Sequence, residues 1–483
     1  MTGLAALCIY QVFAQTPAPP AVSINWSAPA KVSNTTPTLQ VVVNPMLKRG
    51  SPIHDGSFAA LKELGADYVR FVPWFPYPHA AVAELKAPGK DSTYWDFSHI
   101  DPIVEDFMSA TSGHSVVLNF STIPVWMFKT DRPVEYPADP DKVFWEYNQG
   151  AELRDSTMNE LTGYFARLFS WYTKGGFTDE LGVFHASNHH YSIPYWEVLN
   201  EPDLEHSITP QLYTRMYDAI VTALRKISPE TKFIGLGLAF EGNPEWFEYF
   251  LNPANHTGGI RPEGISYHFY GTKSAKEQTL DQYQYSFFDQ ANGFLDRVRY
   301  IEAIRRRLAP ETFTTINELG NILEGSNYTK PIPLLYWNLS GAMYSYLFVE
   351  LARLGIDVVG ESQLVGYPTQ FPDVSMMNWT TGQPNARFWC LKLLKEHFGK
   401  GDRMVHTASG SPAVVAQAFS TAKGKKLLLI NKRNQKQQLQ LPDEADRAEV
   451  SLVDGGRGLV SDRLKGKTIV LNPFEVAVVQ LKD

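Results

Sequence analysis

Two Asn-Glu pairs in this sequence have the residue types needed for proton transfer or nucleophilic attack. The first is Asn200-Glu201 in the stretch YWEVLNEPD, and the second is Asn317-Glu318 in TTINELG. Each pair directly follows an apolar run with the length and composition of a buried β-strand. A carboxyl group at the end of such a strand can donate a proton, accept one or attack an electrophilic carbon. Two carboxyl groups in one pocket could divide these roles between them. The first question is therefore whether the fold brings them together.

The elements around the two pairs alternate between strands and helices along most of the chain. Eight apolar strand-like runs can be counted, and each is followed by a helical pattern or by enough chain to form a helix. Continuous apolar strands with intervening helices are typical of a parallel sheet that is covered on its outside. We therefore predict an α/β fold, a (β/α)8 TIM barrel over residues 38–400. An open doubly wound sheet is the competing arrangement, but no glycine-rich phosphate-binding turn follows the first strand.

The predicted barrel places the two Asn-Glu pairs at its fourth and seventh strands. Active sites of such barrels lie at the carboxyl ends of the strands. The fourth and seventh strands are three steps apart around the ring, so Glu201 and Glu318 are expected to face each other across the mouth. Hydrolysis of a glycosidic bond needs two such carboxyl groups: one protonates the leaving oxygen, and the other attacks the sugar or activates water.

Further polar and aromatic side chains are expected to line the same pocket. Arg70 in the second strand is predicted either to pair with Glu318 or to contact substrate, and both roles favour the ionised carboxylate. Asn200 is expected to hydrogen-bond a sugar hydroxyl, and its alternative role is to satisfy a buried strand end. Trp74 and Trp126 could stack on sugar faces or serve as core. The candidate substrate-binding residues are Asn200, Arg70, His268, Tyr270, Trp126 and Trp74.

A set of segments in the predicted barrel resembles glycoside hydrolase family 39, which includes β-xylosidases and α-L-iduronidases. The matching stretches are LGADYVRF, YWDFSHIDPIVEDF, YWEVLNEPD, ISYHFYG and TTINELG, and the similarity covers most of residues 40–395. The resemblance implies a retaining mechanism with Glu201 as acid/base and Glu318 as nucleophile. One position departs from the pattern: some members have a histidine two residues after the arginine of the second strand, where this chain has Val72. The identity of the sugar is therefore open.

The predicted function is a retaining, β-xylosidase-like hydrolase of plant or microbial oligosaccharides or polysaccharides. Long aromatic loops after the second and third strands are expected to wall the substrate entrance. An endo-acting polysaccharide hydrolase and a non-catalytic carbohydrate-binding protein are the alternatives, and the presence of both glutamates argues against the second. A retaining mechanism predicts that the carboxyl groups of Glu201 and Glu318 lie ~5–5.5 Å apart.

No cofactor and no metal site are predicted. The cluster HASNHH, with His185, His189 and His190, lies in a predicted loop ahead of the fourth strand and lacks the spacing of a helical histidine pair. It also has no carboxylate at a ligand-like interval. Glu361, at the eighth strand, fits a buried ion pair as well as it fits a place in the site.

Residues 401–483 have a different pattern of predicted secondary structure: strand-like runs are separated by Gly, Asp and Lys turns, with no helical stretch between them. We predict a small β-sandwich accessory domain there. The segment AVSINWSAP, within residues 21–37, is expected to add a strand to this domain, which would bring the two ends of the chain together.

The N-terminal residues predict where the protein is located, and the net charge bears on its partners. Residues 1–20 combine an apolar core, a stretch of small residues suited to signal cleavage and a Pro/Ala linker, which predicts a signal peptide remnant and a secreted or periplasmic protein. The apolar run is too short to span a bilayer, so no membrane insertion is expected. A net charge of -7 without a concentrated Lys/Arg face predicts no nucleic-acid binding. The expected partner is a carbohydrate substrate, and the sequence does not indicate the oligomeric state.

Overall fold

The computed structural model describes residues 18–28, 31–147, 150–274, 278–323 and 332–482, so residues 1–17 of the predicted signal segment lie outside the described residues. The strands up to residue 361 are β1 (Ser23–Asn25), β2 (Lys31–Val32), β3 (Thr36–Val42), β4 (Val69–Val72), β5 (Val116–Leu118), β6 (Gly176–Thr178), β7 (Phe184–Ala186), β8 (Tyr195–Glu197), β9 (Lys232–Leu238), β10 (Gly264–Gly271), β11 (Phe313–Asn321) and β12 (Val358–Glu361). The later strands are β13 (Arg403–Ala408), β14 (Val414–Thr421), β15 (Gly424–Asn431), β16 (Gln437–Gln440), β17 (Glu449–Asp454), β18 (Gly458–Arg463), β19 (Thr468–Leu471) and β20 (Val476–Gln480). The α-helices are α1 (His54–Leu64), α2 (Asp101–Ala110), α3 (Asn159–Thr173), α4 (Pro210–Arg225), α5 (Pro244–Phe250), α6 (Leu280–Leu308), α7 (Leu334–Leu354) and α8 (Ala386–His397).

Eight parallel strands form a closed barrel in the order β3-β4-β5-β8-β9-β10-β11-β12. The last strand closes onto the first, with Val358 opposite Thr36 in the register. Strands such as β4 and β12 are buried along their whole length, because helices cover the outside of the barrel and side chains fill its interior. The predicted (β/α)8 barrel is therefore confirmed.

Local capping signals set the starts of the helices that follow the site strands. The Thr209 side chain accepts a hydrogen bond from the Leu212 N–H, and Pro210 occupies the first turn of α4. Helix α6 begins with a capping box between Thr279 and Gln282. These caps fix where the chain leaves the loops above the barrel, and so they position the loops that carry the site.

The C-terminal region forms antiparallel sheets, as predicted for a β-sandwich. The larger sheet has the order β1-β13-β14-β15-β20-β17-β18, with β2 also paired to β13, and a second sheet pairs β16 with β19. One buried aliphatic cluster joins the two sheets and includes Leu427 of β15 and Leu439 of β16. Strand β1 pairs with β13, with Ser23 opposite Ala408, so an N-terminal segment is part of the C-terminal sheet.

The larger C-terminal sheet packs against the outside of the barrel. Leu428 of β15 and Val478 of β20 belong to the same buried cluster as Leu351 of α7. The barrel and the sheet therefore share one hydrophobic core, which stabilises their mutual placement. Among the described helices, none combines the length and the continuous apolar character that a bilayer crossing requires.

Candidate active site

A cavity of about 1000 Å³ opens at the carboxyl ends of the barrel strands. Side chains from the strand ends line its base, among them Gln40 of β3 and Ser362, which follows β12. Arg70 and His268 are buried beneath this base and contact the carboxylates that line it. The sequence-predicted residues that line the cavity directly are Glu201, Glu318, Asn200, Tyr270 and Trp74.

Glu201 lies on a sharp turn that follows β8. Its backbone φ is +41°, and that of Leu199 is +64°; such left-handed conformations cost about 1–3 kcal/mol each for residues other than glycine. The Glu201 N–H donates to the Gly237 carbonyl on β9 over 2.8 Å, which anchors the turn. The segment Asn-Glu-Pro does not start a helix, because α4 begins only at Pro210. The strained turn instead directs the Glu201 carboxyl group into the cavity.

The Glu318 carboxylate is surrounded by hydrogen-bond donors. Arg70 Nη1 donates to Glu318 Oε1 over 2.5 Å, and the Tyr270 hydroxyl donates to Oε2 over 2.6 Å. Burial alone would raise the pKa of this carboxyl group. The charges of His268 and Arg70, with the hydrogen bonds from Tyr270 and Arg70, outweigh burial and lower the pKa. Glu318 is therefore held in the ionised form.

The Glu201 carboxyl group has the opposite electrostatic environment. Burial raises its pKa, and the negative charges of Glu318 and Asp203 add to this, so that together they outweigh the effect of His268. One carboxyl oxygen of Glu201 and one of Glu318 lie within 4.8 Å of each other. A carboxyl group with a raised pKa thus faces one with a lowered pKa, which is the division that a proton donor and a nucleophile require.

His268 on β10 lies between the two carboxyl groups. Its Nδ1 is 2.8 Å from Glu201 Oε1, and its Nε2 is 3.6 Å from Glu318 Oε1. Burial disfavours the charged imidazole, but the charge of Glu318 and the hydrogen bond to Glu201 raise the pKa of His268 overall. His268 thus contacts both carboxyl groups, and its raised pKa favours the charged form of the imidazole.

Arg70 on β4 organises the base of the cavity. Besides Glu318, the guanidinium donates to Gln40 Oε1 over 2.7 Å and to Asn200 Oδ1 over 2.6 Å, and it pairs with Glu197. Arg70 is buried and is not among the cavity-lining residues. Of its two predicted roles, the structure places it as the partner of Glu318.

Glu197, the last residue of β8, is a buried carboxylate that the sequence analysis did not single out. It accepts hydrogen bonds from Arg70, Asn119 and Ser266, and from Asn317 Nδ2 over 2.7 Å. These contacts tie β4, β10, β11 and the residue directly after β5 to β8, and they fill the barrel interior below the site. The available signal was a charged residue inside the otherwise apolar run YWEVL, because charged residues are rarely buried without partners.

Glu205 connects Asn200 to an aromatic wall of the cavity. Its Oε1 accepts hydrogen bonds from Asn200 Nδ2 and from Trp74 Nε1, both over 2.7 Å. Trp74 packs edge-on against Trp145 with ring centroids 5.3 Å apart, and Phe371 contacts both rings. Trp145 belongs to the aromatic loop after the third barrel strand that is predicted to wall the entrance, and it lines the cavity. The sequence does not predict Glu205 or Phe371 at the site, because they lie in loops whose course the strand pattern does not determine.

Trp126 lies outside the cavity lining. Its indole N–H donates to the Glu84 carbonyl over 2.8 Å, and the Arg154 guanidinium lies 4.6 Å from its ring centroid. The structure therefore brings Trp74 to the site and does not bring Trp126 there. The ring of Trp126 instead packs against the hydrophobic core. Of its two predicted roles, sugar stacking and core packing, it has the second.

Glu361 also points away from the cavity, into the layer between β12 and α8. Arg387 Nε donates to Glu361 Oε1 over 2.7 Å, and both side chains are fully buried. Burial raises the pKa of Glu361 to about 7, and Arg387 opposes the rise. Glu361 is thus a partner in a buried ion pair.

The histidine cluster is dispersed. His185 lies on an antiparallel hairpin of β6 and β7, where the sequence analysis expected a loop, and its Nε2 is 2.9 Å from Asp179 Oδ2. His189 stacks on Tyr172 with centroids 5.6 Å apart. Each of these two histidines is engaged with a different neighbour, so the cluster does not form a site.

One group among the described residues has the ligand types and spacing to hold a metal ion, and it is Glu201, His268 and Glu318. Their candidate ligand atoms lie within 4.8 Å of one another. The same side chains hydrogen-bond to each other and to Arg70 and Tyr270. The positive charge that the carboxylates need is thus already supplied by protein groups, and the absence of a metal stays a prediction.

Comparison with known proteins gives one partial sequence match. A family model described as "D-apionate lactonase, C-terminal immunoglobulin-like domain" matches residues 412–479. The match lies within the C-terminal sheets and does not extend to the barrel. No curated protein matches the chain.

Solved structures resemble nearly the whole chain. A GH51 arabinofuranosidase from Xanthomonas axonopodis pv. citri has a TM-score of 0.66 at 13% identity, over 96% of this chain and 100% of its own. A GH51 α-L-arabinofuranosidase from Thermotoga petrophila RKU-1 has a TM-score of 0.65 at 12% identity, over 95% and 99%. A GH30 endoxylanase from Clostridium papyrosolvens C71 has a TM-score of 0.59 at 13% identity, over 96% and 100%. These similarities establish a shared fold, a barrel with an appended β domain.

Proposed function

We propose that this protein is a retaining glycoside hydrolase in which Glu318 is the nucleophile and Glu201 the acid/base. The proposal rests mainly on one observation: oxygens of the two carboxyl groups lie within 4.8 Å. Retaining enzymes have their carboxyl groups ~5–5.5 Å apart, whereas inverting enzymes leave ~6.5–9.5 Å for a water molecule. The lowered pKa of Glu318 and the raised pKa of Glu201 fit the same assignment.

The reaction would proceed in two displacements. Glu318 attacks the anomeric carbon, the bond to the leaving oxygen breaks, and the proton of Glu201 moves to that oxygen. Forming the ester removes the negative charge of Glu318, which lowers the pKa of Glu201 and prepares it to act as a base. Glu201 then takes a proton from water, the water oxygen bonds to the anomeric carbon, and Glu318 leaves as a carboxylate.

The surrounding residues would position and charge these two groups. Arg70 and Tyr270 hold Glu318 ionised and fix its orientation through their hydrogen bonds. Asn200 lines the cavity between Arg70 and Glu205, where its amide can contact a hydroxyl of the bound sugar. His268 limits how far the pKa of Glu201 rises.

We propose a pentose as the preferred glycosyl unit, with a β-xylosidase-like activity first. The motif resemblance to family 39 supports this, as does the description of two structural neighbours as an arabinofuranosidase and an endoxylanase. Val72 lines the cavity near Trp74, so an apolar side chain stands where some family 39 members have a histidine. Endo action on a polysaccharide is the alternative on the same barrel. Export to the periplasm or the medium remains part of the proposal.

A lactone hydrolase is the second candidate. The match of residues 412–479 to a domain of D-apionate lactonase is the observation that favours it. A carboxylate base beside a cationic histidine could also direct water onto the carbonyl of a cyclic sugar ester. The two candidates share the site and differ in the bond that is broken.

A substrate panel tests the proposal. The purified protein is assayed with aryl β-xyloside, aryl α-L-arabinoside and aryl α-L-iduronide, and with pentonolactones by titration of the released acid. Glycoside cleavage with initial release of the same anomer, abolished in Glu318→Gln, is the expected result. Lactone opening without cleavage of any glycoside would replace the first candidate by the second. Binding of xylo-oligosaccharides without turnover of any substrate would indicate a non-catalytic protein.

A further inference from the structure

Two large apolar side chains are exposed at the rim of the cavity. Leu204 is 50% exposed and Phe240 is 61% exposed, and both line the cavity. Exposed residues of this kind are common singly on protein surfaces. Two of them at the mouth of a proposed active site have a more specific significance, which depends on their position relative to Glu201.

Both side chains are tied to the turn that carries Glu201. The Leu204 N–H donates to the Glu201 carbonyl over 2.9 Å. The Phe240 N–H donates to Asp203 Oδ2 over 2.9 Å, and the Ala239 N–H donates to Asp203 Oδ1 over 3.0 Å. The loops after β8 and β9 are therefore joined, and Leu204 and Phe240 flank the acid/base.

This position is on the leaving-group side of the cavity. The proton donor must contact the glycosidic oxygen, whereas the nucleophile approaches the anomeric carbon from the opposite face. The group attached to that oxygen beyond the sugar therefore lies beside Glu201 and the loops next to it. Leu204 and Phe240 are the large side chains that it meets there.

Two polar side chains that line the cavity, Gln290 and Arg297, already have partners within the protein. Gln290 makes two hydrogen bonds to the backbone of Thr272, of 2.9 and 2.8 Å. Arg297 is ion-paired with Glu241. One further carboxylate on this side, Asp289, lines the cavity and disfavours an anionic leaving group. Gln290 and Arg297 are thus already engaged within the protein, while Leu204 and Phe240 offer an exposed apolar surface.

We propose that the leaving group of the natural substrate is an uncharged apolar group, an alkyl or aromatic aglycone, bound against Leu204 and Phe240. The inference rests on the proposed glycosidase function and specifies its substrate class. The protein then removes a sugar from a small apolar glycoside and does not shorten a polysaccharide. Each methylene buried against these side chains raises kcat/KM about two- to fourfold.

Alkyl glycosides with unbranched chains from methyl to octyl test this inference. They are built on the glycosyl unit whose aryl glycoside is cleaved fastest. Alkanols of this series differ little as leaving groups, so chain length changes mainly the apolar contact. We expect kcat/KM to rise with chain length, and the slope to fall in Leu204→Ser and in Phe240→Ser. The matched control is Phe184→Ser on the β6–β7 hairpin, a phenylalanine that is 64% exposed away from the cavity lining, which should retain the wild-type slope.

The possible outcomes separate this inference from the proposed function. A flat chain-length series, or a higher kcat/KM for the disaccharide and trisaccharide of the same sugar, would overturn the apolar aglycone and leave the glycosidase intact. An unchanged slope in both cavity variants would overturn the assignment to Leu204 and Phe240. If the protein cleaves none of the aryl glycosides, the proposed function is overturned, and the inference with it.

Discussion

His268 Nδ1 lies 2.8 Å from Glu201 Oε1, and this hydrogen bond links the protonation state of the carboxyl group to that of the imidazole. Burial raises the pKa of Glu201, while the hydrogen bond and the charge of His268 lower it. The pKa of Glu201 is therefore a balance between burial, which raises it, and His268, which lowers it. Changes in pH and in single residues should reveal this balance.

The wild-type protein should show a bell-shaped dependence of kcat/KM on pH. Glu318 must be ionised to attack, so activity falls as the pH drops through its lowered pKa. Glu201 must hold its proton, so activity falls as the pH rises through its raised pKa. The profile is measured with an aryl glycoside, and intrinsic fluorescence over the same range excludes unfolding. Activity that keeps rising into alkaline pH would contradict Glu201 as proton donor.

Replacing His268 should move both limbs of this profile to higher pH. His268 lowers the pKa of Glu318 through its charge and that of Glu201 through its hydrogen bond and charge. The variant His268→Asn removes these effects, so both carboxyl groups bind protons more tightly. The matched control His185→Asn, on the β6–β7 hairpin, should leave both limbs in place. An unchanged acid limb in His268→Asn would show that the imidazole carries no charge in the free enzyme.

The two glutamates should fail differently when removed. Glu318→Ala lacks the nucleophile, so it should lose activity on every substrate, with azide restoring turnover by taking the empty place. Glu201→Ala lacks the proton donor and the base, so a dinitrophenyl glycoside should give a fast burst of dinitrophenol and then slow turnover. Rapid-mixing absorbance measures the burst. The reverse pattern would exchange the two roles, and near-native rates in both variants would make the pair structural.

Arg70→Met should destabilise the protein strongly. The variant leaves Glu197 and Glu318 without their buried guanidinium partner, and loss of one partner of a buried ion pair costs about 3–5 kcal/mol. Urea unfolding followed by fluorescence measures the free energy of unfolding. The control Arg299→Met removes one partner of an exposed ion pair with Asp296 and should cost at most about 1 kcal/mol. Equal losses in the two variants would argue against the Arg70 network as a major source of stability.

The barrel and the facing glutamates could be predicted because their signals are local. Apolar runs of strand length recur between helical patterns, and each Asn-Glu pair directly follows one of these runs. Since barrel topology fixes which strand ends share a mouth, strand number alone brings Glu201 and Glu318 together. The helical pattern FLDRVRYIEAIRRRL likewise predicts the second half of α6, and the first half was missed although Thr279 and Gln282 have the capping-box spacing.

The rest of the site depends on contacts between segments that are distant in sequence. Glu197 is stabilised by donors from three other strands and from Asn119, which follows β5, and nothing beside it in the chain reveals them. Trp74 closely follows β4, whereas Trp126 lies further along the loop after β5, and the course of these loops decides which ring reaches the cavity. Trp145 and Phe371 reach it for the same reason.

The pairing of β1 with β13 has a consequence for how the protein is made. Ser23 is among the first described residues, and its partner Ala408 follows the last barrel strand. During synthesis on the ribosome, the edge strands β1 and β2 emerge early and wait without their partner until β13 appears, when all eight barrel strands are already outside. Unpaired edges of this kind can pair with other chains. The nascent protein is therefore open to such pairing through most of its translation, and the arrival of β13 ends that period.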